Sequence, residues 1–289
     1  MKQIITAGLV LLVLLILFPN FAMVIRSQSP EPTKAEDEFD NVYETYLDDI
    51  DTYDKAHNEY IFRRSQYLNF KTLKSQQEAQ GATLAMLQTR DQVAISYLRA
   101  LDVRLNNAIG VPQARHEGLN IRINEEVGWF LEHKDGMSSA GTLDDLVKES
   151  NLASNHYNLI QPLFYEVLAV ISQGRIYYYN DRTDEMLSRV RGKVEQIRGE
   201  ERDEYRFSSE KQQVLDRWMF ESEGRFSRSK EKQVEVDAIV LDFIRKRGSL
   251  LTNYNSVVSK LGEAQLFLKE SNTFILEIIR EIKTAEDKI

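Results

Sequence analysis

Residues 236–285 read VDAIVLDFIRKRGSLLTNYNSVVSKLGEAQLFLKESNTFILEIIREIKTA. Starting at Val236, Val240, Phe243, Arg247, Leu250 and Tyr254, and ending at Ile275, Ile278, Ile282 and Ala285, the seam positions alternate steps of four and three over seven heptads. A 3.5-residue repeat is the signature of helices that wrap one another. It predicts one last helix from about Lys230 to the chain end, some sixty residues and roughly 90 Å long at ~1.5 Å per residue. Only five prolines occur in 289 residues, and none follows Pro162. Proline breaks helix interiors, so long stretches without it predict long helices and exclude a turn-rich sandwich or barrel. The fold class expected is all-α, an elongated antiparallel helical bundle with coiled-coil-like long helices at its two ends.

The other long pattern starts at Phe39. Tyr43, Tyr46, Ile50, Tyr53, His57, Tyr60, Arg64, Tyr67, Lys71 and Lys74 continue its four-three register. A phase shift near Gln80-Gly81-Ala82 leads into a second register through Leu84, Leu87, Asp91, Ala94, Leu98, Leu101 and Leu105, until Gly110 and Pro112 stop the helix. Tyrosine on the first seam suits a broad, half-wet contact, with the ring buried and the hydroxyl at the rim.

Between these ends, residues 113–133 predict a shorter helix and residues 135–141 a loop. Thr142 and Asp145 form a capping box that opens the next helix. Residues 159–171 are its most apolar stretch, with a kink expected at Pro162. Gly174 is expected to break it ahead of Tyr177-Tyr178-Tyr179. A charged helix then spans about residues 183–223, with its polar middle, 199–211, facing solvent or frayed.

Residues 4–25 are a continuous apolar stretch between Lys2 and Arg26, long enough for the ~20 residues that cross a bilayer core. Two readings are open. Residues 1–27 form a transmembrane signal-anchor, with Pro19 tolerated near its outer end, or a cleaved signal peptide, for which Asn20 makes a poor −3 position. Residues 28–38, with Pro30, Pro32 and acids, form a linker, and residues 39–289 the extracytoplasmic bundle. Residues 28–60 hold eleven acids and two lysines. So few basic residues just past an apolar segment place the following chain outside the cytoplasm. The localisation expected is a single-pass plasma-membrane protein with its C-terminal part extracytoplasmic, or a secreted protein after signal cleavage.

The chemistry-bearing residues are sparse. Without cysteine there is no disulfide framework, thiol nucleophile, zinc ribbon or lipid-modified cysteine. A di-iron bundle needs Glu-x-x-His pairs on two helices; among His57, His116, His133 and His156, only His57 has a carboxylate three residues before it, Asp54. His57 reads as a polar seam member, and His133 as a ring stacked on Trp129 near a helix end. Asp48, Asp49, Asp51 and Asp54 lack the central glycine of a calcium loop and read as a solvated acidic face. Arg63-Arg64 and Arg245-Lys246-Arg247 read as charge pairs. A net charge of −8 argues against nucleic acid as a partner. No catalytic, metal or cofactor-binding residue is expected. Aromatic side chains dominate contacts with partners and glycans, so the candidate partner-binding residues are Tyr43, Tyr46, Tyr53, Tyr60, Tyr67, Tyr177, Tyr178 and Tyr179.

The run Glu59-Tyr-Ile-Phe-Arg63-Arg64-Ser-Gln-Tyr-Leu68, after an apolar N-terminal stretch, resembles the LemA family of anchored helical proteins. The family's Pro-Asn-Leu after the arginines is Leu68-Asn-Phe-Lys here, and no residue role is carried across. The function expected is a non-enzymatic cell-envelope scaffold or interaction module, attached to the membrane by its N-terminal helix. It would associate with a protein partner or with itself through its heptad seams. The alternative is a ligand-sensing helical ectodomain that holds a small molecule between helices and signals through a partner.

Overall fold

The computed structural model describes residues 34–200, 206–245 and 247–286. Six α-helices account for most of them: α1 (Lys34–Phe70), α2 (Leu73–Asn106), α3 (Gln113–Gly136), α4 (Leu143–Arg198), α5 (Ser209–Ile244) and α6 (Leu250–Glu286). No strand occurs among the described residues. The apolar N-terminal stretch lies outside them. Among the described helices, none is long and apolar enough to cross a membrane.

The register that runs on from Phe39 is cut where the sequence reading has no break. Lys71 takes a left-handed backbone, φ 45°, and its N–H donates to the Tyr67 carbonyl at 2.9 Å. Thr72 and Ser75 then cap α2 reciprocally: Thr72 N–H donates to Ser75 Oγ (3.0 Å) and Ser75 N–H to Thr72 Oγ1 (3.1 Å). These bonds satisfy orphan amide donors at the start of the helix. The predicted single element is therefore a hairpin. Pairs along it converge on the turn: Arg104 over the Phe39 ring, Tyr46 against Tyr97, Gln92 on Asp49, and Arg63 on Glu78.

The chain divides into two compact units. The first holds α1, α2 to Arg104, and Ile121–Ile160 from α3 and α4. Its core gathers Met86, Leu87, Met137 and Leu146, with Tyr53, Ala56, Tyr60, Leu84 and Ala140 packed against them. Met137 sits in the short 3-10 turn Met137–Ser139, so the connection after α3 is itself part of the core. Thr142 starts α4 as its capping box predicts, accepting from Asp145 N–H at 3.2 Å and donating to the Asp145 carboxylate at 2.7 Å. The carboxyl of Asp145 is held below its ordinary range by that hydroxyl first and by Lys148 second.

The second unit holds Leu105–Asn120 and the chain from Gln161 on. The helix predicted to end at Gly174 does not; α4 continues to Arg198. Gly174 serves a close approach instead. A Cβ there would lie 2.6 Å from the Ile109 carbonyl oxygen, and one on Gly110 (φ +73°) would lie 2.1 Å from the Gly174 carbonyl oxygen. The two glycines let a loop backbone rest directly on a helix.

The helix predicted over residues 183–223 is also two. After α4 ends at Arg198, Ser208 caps α5 by accepting from Lys211 N–H. The sixty-residue last helix resolves likewise into the end of α5 and α6. Gly248 (φ +71°) makes the turn, and Asn253 Nδ2 donates to the Arg247 carbonyl at 2.8 Å. The two helices run antiparallel, paired by Lys211–Glu281, Arg225–Glu270, Lys232–Glu263 and Lys260–Glu235. Between them lie Val236, Val240, Phe243, Val257, Leu261, Ala264, Ile275 and Ile278, each at most 2% exposed.

Candidate functional site

The predicted tyrosines of α1 turn largely toward their own unit. Tyr46 is 2% exposed, with its ring centroid 5.5 Å from that of buried Tyr97. Burial, and then Tyr43, push its phenol well above the ordinary tyrosine range. Tyr43 stacks on Phe39 at 5.8 Å. Tyr53 and Tyr60 pack on the core cluster and flank His57 at 5.7 and 6.1 Å, so His57 is the polar seam member expected of it. Tyr67 is half-buried beside the hairpin turn.

In the second unit Tyr177 donates to both oxygens of the Asp237 carboxylate, at 3.0 and 2.9 Å. Burial first, and that bond second, push its phenol up to about 12. Tyr178 and Tyr179 meet edge to face at 5.5 Å, and Arg182 lies 5.4 Å from the Tyr178 ring. Of the eight tyrosines only Tyr179 is exposed.

The most concentrated chemistry in the first unit is a group the tyrosine pattern does not point to. Asp91 is fully buried on α2, and its carboxylate accepts from His133 Nδ1 on α3. Arg90 Nη2 donates to the other oxygen at 3.4 Å. Burial raises the Asp91 pKa; Arg90 and His133 oppose that shift. His133 Nε2 lies 3.3 Å from Glu149 Oε2 but off the hydrogen-bonding direction. Trp129 stacks on the His133 ring at 4.9 Å and 9°, as its spacing predicts, and on the His156 ring at 3.6 Å and 11°. His156 Nε2 in turn sits 2.6 Å from Glu126. Three flat rings thus form one stack, with a carboxylate at each end.

An aspartate holding a buried histidine is the orienting half of an acid–base site. Here the arrangement is closed. The Asp91 oxygens are occupied by His133 and Arg90, the His133 side chain is 4% exposed, and Trp129 covers its face. No group of three His, Asp or Glu side chains among the described residues is placed to hold a metal ion. The cluster ties α2, α3 and α4 together through charge-assisted hydrogen bonds and stacking. Its sequence signal was Asp91 itself, a charged residue on a seam otherwise built of Leu87, Ala94 and Leu98.

A groove of about 300 Å³ runs between α1 and α2 beside Val42, Thr45, Gln92, Ser96 and Arg99. The acids nearby behave as predicted for a solvated face: Asp48, Asp51 and Asp54 are exposed, while Asp49 accepts from Gln92 at 3.1 Å.

The second unit buries Glu166 and several neutral polar groups, and two of the neutral sets are satisfied between helices. Asn180 of α4 binds Gln233 and Ser229 of α5, and Ser222 of α5 and Ser271 of α6 bind each other and each other's carbonyls. On the outer side of α5 a different pattern appears. Phe220, Val234 and Leu241 are 75%, 66% and 43% exposed, and they share one heptad position with Ser227.

Comparison of the chain with family models, with curated proteins and with solved structures finds no match. The resemblance to the LemA family therefore rests on residues 59–68 and the apolar N-terminus alone.

Proposed function

We propose that the chain is a membrane-anchored, extracytoplasmic helical-bundle protein acting as a non-enzymatic scaffold of the cell envelope. Its N-terminal stretch holds it in the plasma membrane, and its helices form an elongated rod that self-associates through a helix seam. The outer stripe of α5 carries this reading: Phe220, Val234 and Leu241 recur at whole heptads and face outward. An apolar line of that kind is favoured in water only when another helix covers it. The occupant we assign is α5 of a second copy. The register we assign is parallel, with Phe220 against Phe220 and Val234 against Val234.

The buried polar groups support the same reading. Asp91 with His133 in one unit and Asn180 with Gln233 and Ser229 in the other bond between neighbouring helices, as groups that fix helix register do. Sedimentation of the full chain in phosphatidylcholine nanodiscs is the test. A dimer mass that becomes monomeric in Phe220→Ser/Val234→Ser/Leu241→Ser supports the proposal. A monomer mass for both chains removes it. An elongated particle also has a radius of gyration well above the ~19 Å of a compact globule of this length.

A second reading, a ligand-sensing ectodomain, draws on the α1–α2 groove beside Arg99. A small molecule seated there would protect the amides of α1 and α2 from hydrogen exchange.

A further inference from the structure

We propose that the turn joining α1 to α2 is a docking surface for an anionic phospholipid bilayer. Phe70 and Leu73 flank the turn, and each is 71% exposed. Ile61, Phe62 and Leu68, all more than half exposed, extend this surface along the last turns of α1. So much apolar surface at one end of a hairpin is unfavourable in water and calls for a cover.

The charge around it says which cover. Between Glu59 and Glu78 the chain carries Arg63, Arg64, Lys71 and Lys74 and no acidic residue, in a protein whose net charge is −8. Arg63 is bound by Glu59 and Glu78 and lies 5.3 Å from the Phe62 ring. Lys74 has a side chain 85% exposed and reaches Glu78 only at 3.9 Å. The tip is thus an apolar patch with a basic rim on an acidic protein. Aromatic and aliphatic side chains enter the headgroup–acyl boundary while lysine stems extend to the phosphates. Anionic lipid supplies the matching charge.

The turn is also pre-shaped. Lys71 is fixed in its left-handed conformation by the Tyr67 carbonyl, and Thr72 and Ser75 cap each other. Phe70 and Leu73 are therefore held at the apex, and docking orders little new backbone. A second copy of the tip is a poorer occupant, because it brings the same positive charges. The inference stands on the first hairpin alone and is independent of the α5 seam.

The absence of native cysteine makes the test clean, since a single introduced thiol takes all the label. The full chain with Phe70→Cys carries an environment-sensitive fluorophore and is held in phosphatidylcholine nanodiscs. It is then mixed with vesicles of phosphatidylcholine and phosphatidylglycerol in equal parts, or of phosphatidylcholine alone. A Glu132→Cys chain labelled on α3 is the control. The expected result is a blue-shifted, brighter emission from position 70 with anionic vesicles only, reversed by salt and absent at position 132. Adding Lys71→Gln and Lys74→Gln should weaken the half-saturating lipid concentration by ~30-fold, at ~1 kcal/mol per basic residue near such a surface. Leu73→Ser should weaken it as well, with helix content by circular dichroism unchanged. No response at position 70, or an equal response with phosphatidylcholine alone, overturns the proposal. So does a response that rises with protein concentration without vesicles, which would assign the tip to a second copy.

Discussion

The hairpin of α1 and α2 and the hairpin of α5 and α6 follow the same four-three rhythm and fill it with different chemistry. On α1 the seam is tyrosine, and most of its rings are half-buried. On α5 and α6 it is valine, isoleucine and leucine, with nearly every side chain sealed. Their buried polar groups differ in the same sense. The first unit buries a carboxylate–imidazole pair, Asp91 with His133, while the last hairpin buries two hydroxyls, Ser222 and Ser271, that serve each other. A heptad pattern therefore states that two helices pair, and leaves open how dry their contact is. The dry seam draws its stability from aliphatic burial. The wet seam sets half-buried tyrosine rings of α1 against the sealed aliphatic residues of α2.

The largest expected effect falls on the buried pair of the first unit. His133→Ala leaves Asp91 buried beside Arg90 without its imidazole partner and removes a ring from the Trp129 stack. We expect a loss of about 3–5 kcal/mol from the first unit, measured by denaturant unfolding or by hydrogen exchange of α2 and α3 amides. A loss below ~1 kcal/mol would show that the Asp91–His133 pair is not what holds α2 to α3.

Next comes the dry seam. Ile278→Ala, at a site with no exposure, should cost about 2–5 kcal/mol of protection in α5 and α6. Tyr60→Ala, on the half-buried seam, should cost the first hairpin distinctly less. Equal losses at the two sites would erase the distinction between the seams.

The third effect is alkaline. Burial raises the phenols of Tyr46, Tyr53, Tyr165, Tyr177 and Tyr254, with Tyr177 reaching about 12. A group raised in the folded state contributes stability that is complete below its unfolded value, near 10, and lost as pH rises through the folded value. Melting temperature should therefore hold to about pH 10 and fall between about 10 and 12. Tyr177→Phe should make that fall shallower in α4 and α5, which exchange protection reads directly.

The smallest effect is expected from Ser222→Ala with Ser271→Ala. Removing both partners of a neutral pair leaves no hydroxyl unsatisfied, so the change should stay within about 1 kcal/mol. A single Ser271→Ala should cost more than the pair together if the bond, rather than the space, matters.

Much of this architecture is legible in the sequence. The Thr142–Asp145 cap, the stop at Pro112, the helical class and the seam positions from Val236 to Ile282 all follow from local rules. The turns were hidden by the same periodicity that revealed the helices. Phe243 and Leu250 lie one heptad apart across a turn, so the rhythm continues where the helix does not. The overlooked signals are local. Gly248, with its positive φ, is the glycine of the turn after α5, and Thr72 with Ser75 is a cap whose third position lacks the usual acid. Gly174 misled in the other direction, because it answers to a loop pressed against α4 rather than to a helix end. The Asp91–His133 pairing spans two helices, and no spacing within either encodes it. The tyrosines were found as a pattern, but the sequence does not say that most of them would be spent on their own unit.

The central claim is that the outer stripe of α5 meets its counterpart on a second copy, in register. Ser227 lies on that stripe and is exposed, and the chain has no cysteine of its own. Ser227→Cys in the full chain, oxidised mildly in its membrane, is the direct test. The account predicts a disulfide-linked dimer of this chain, lost when Phe220 and Val234 are changed to serine and absent from Glu132→Cys. A chain that stays monomeric under the same oxidant, or links only to a different protein, would contradict it.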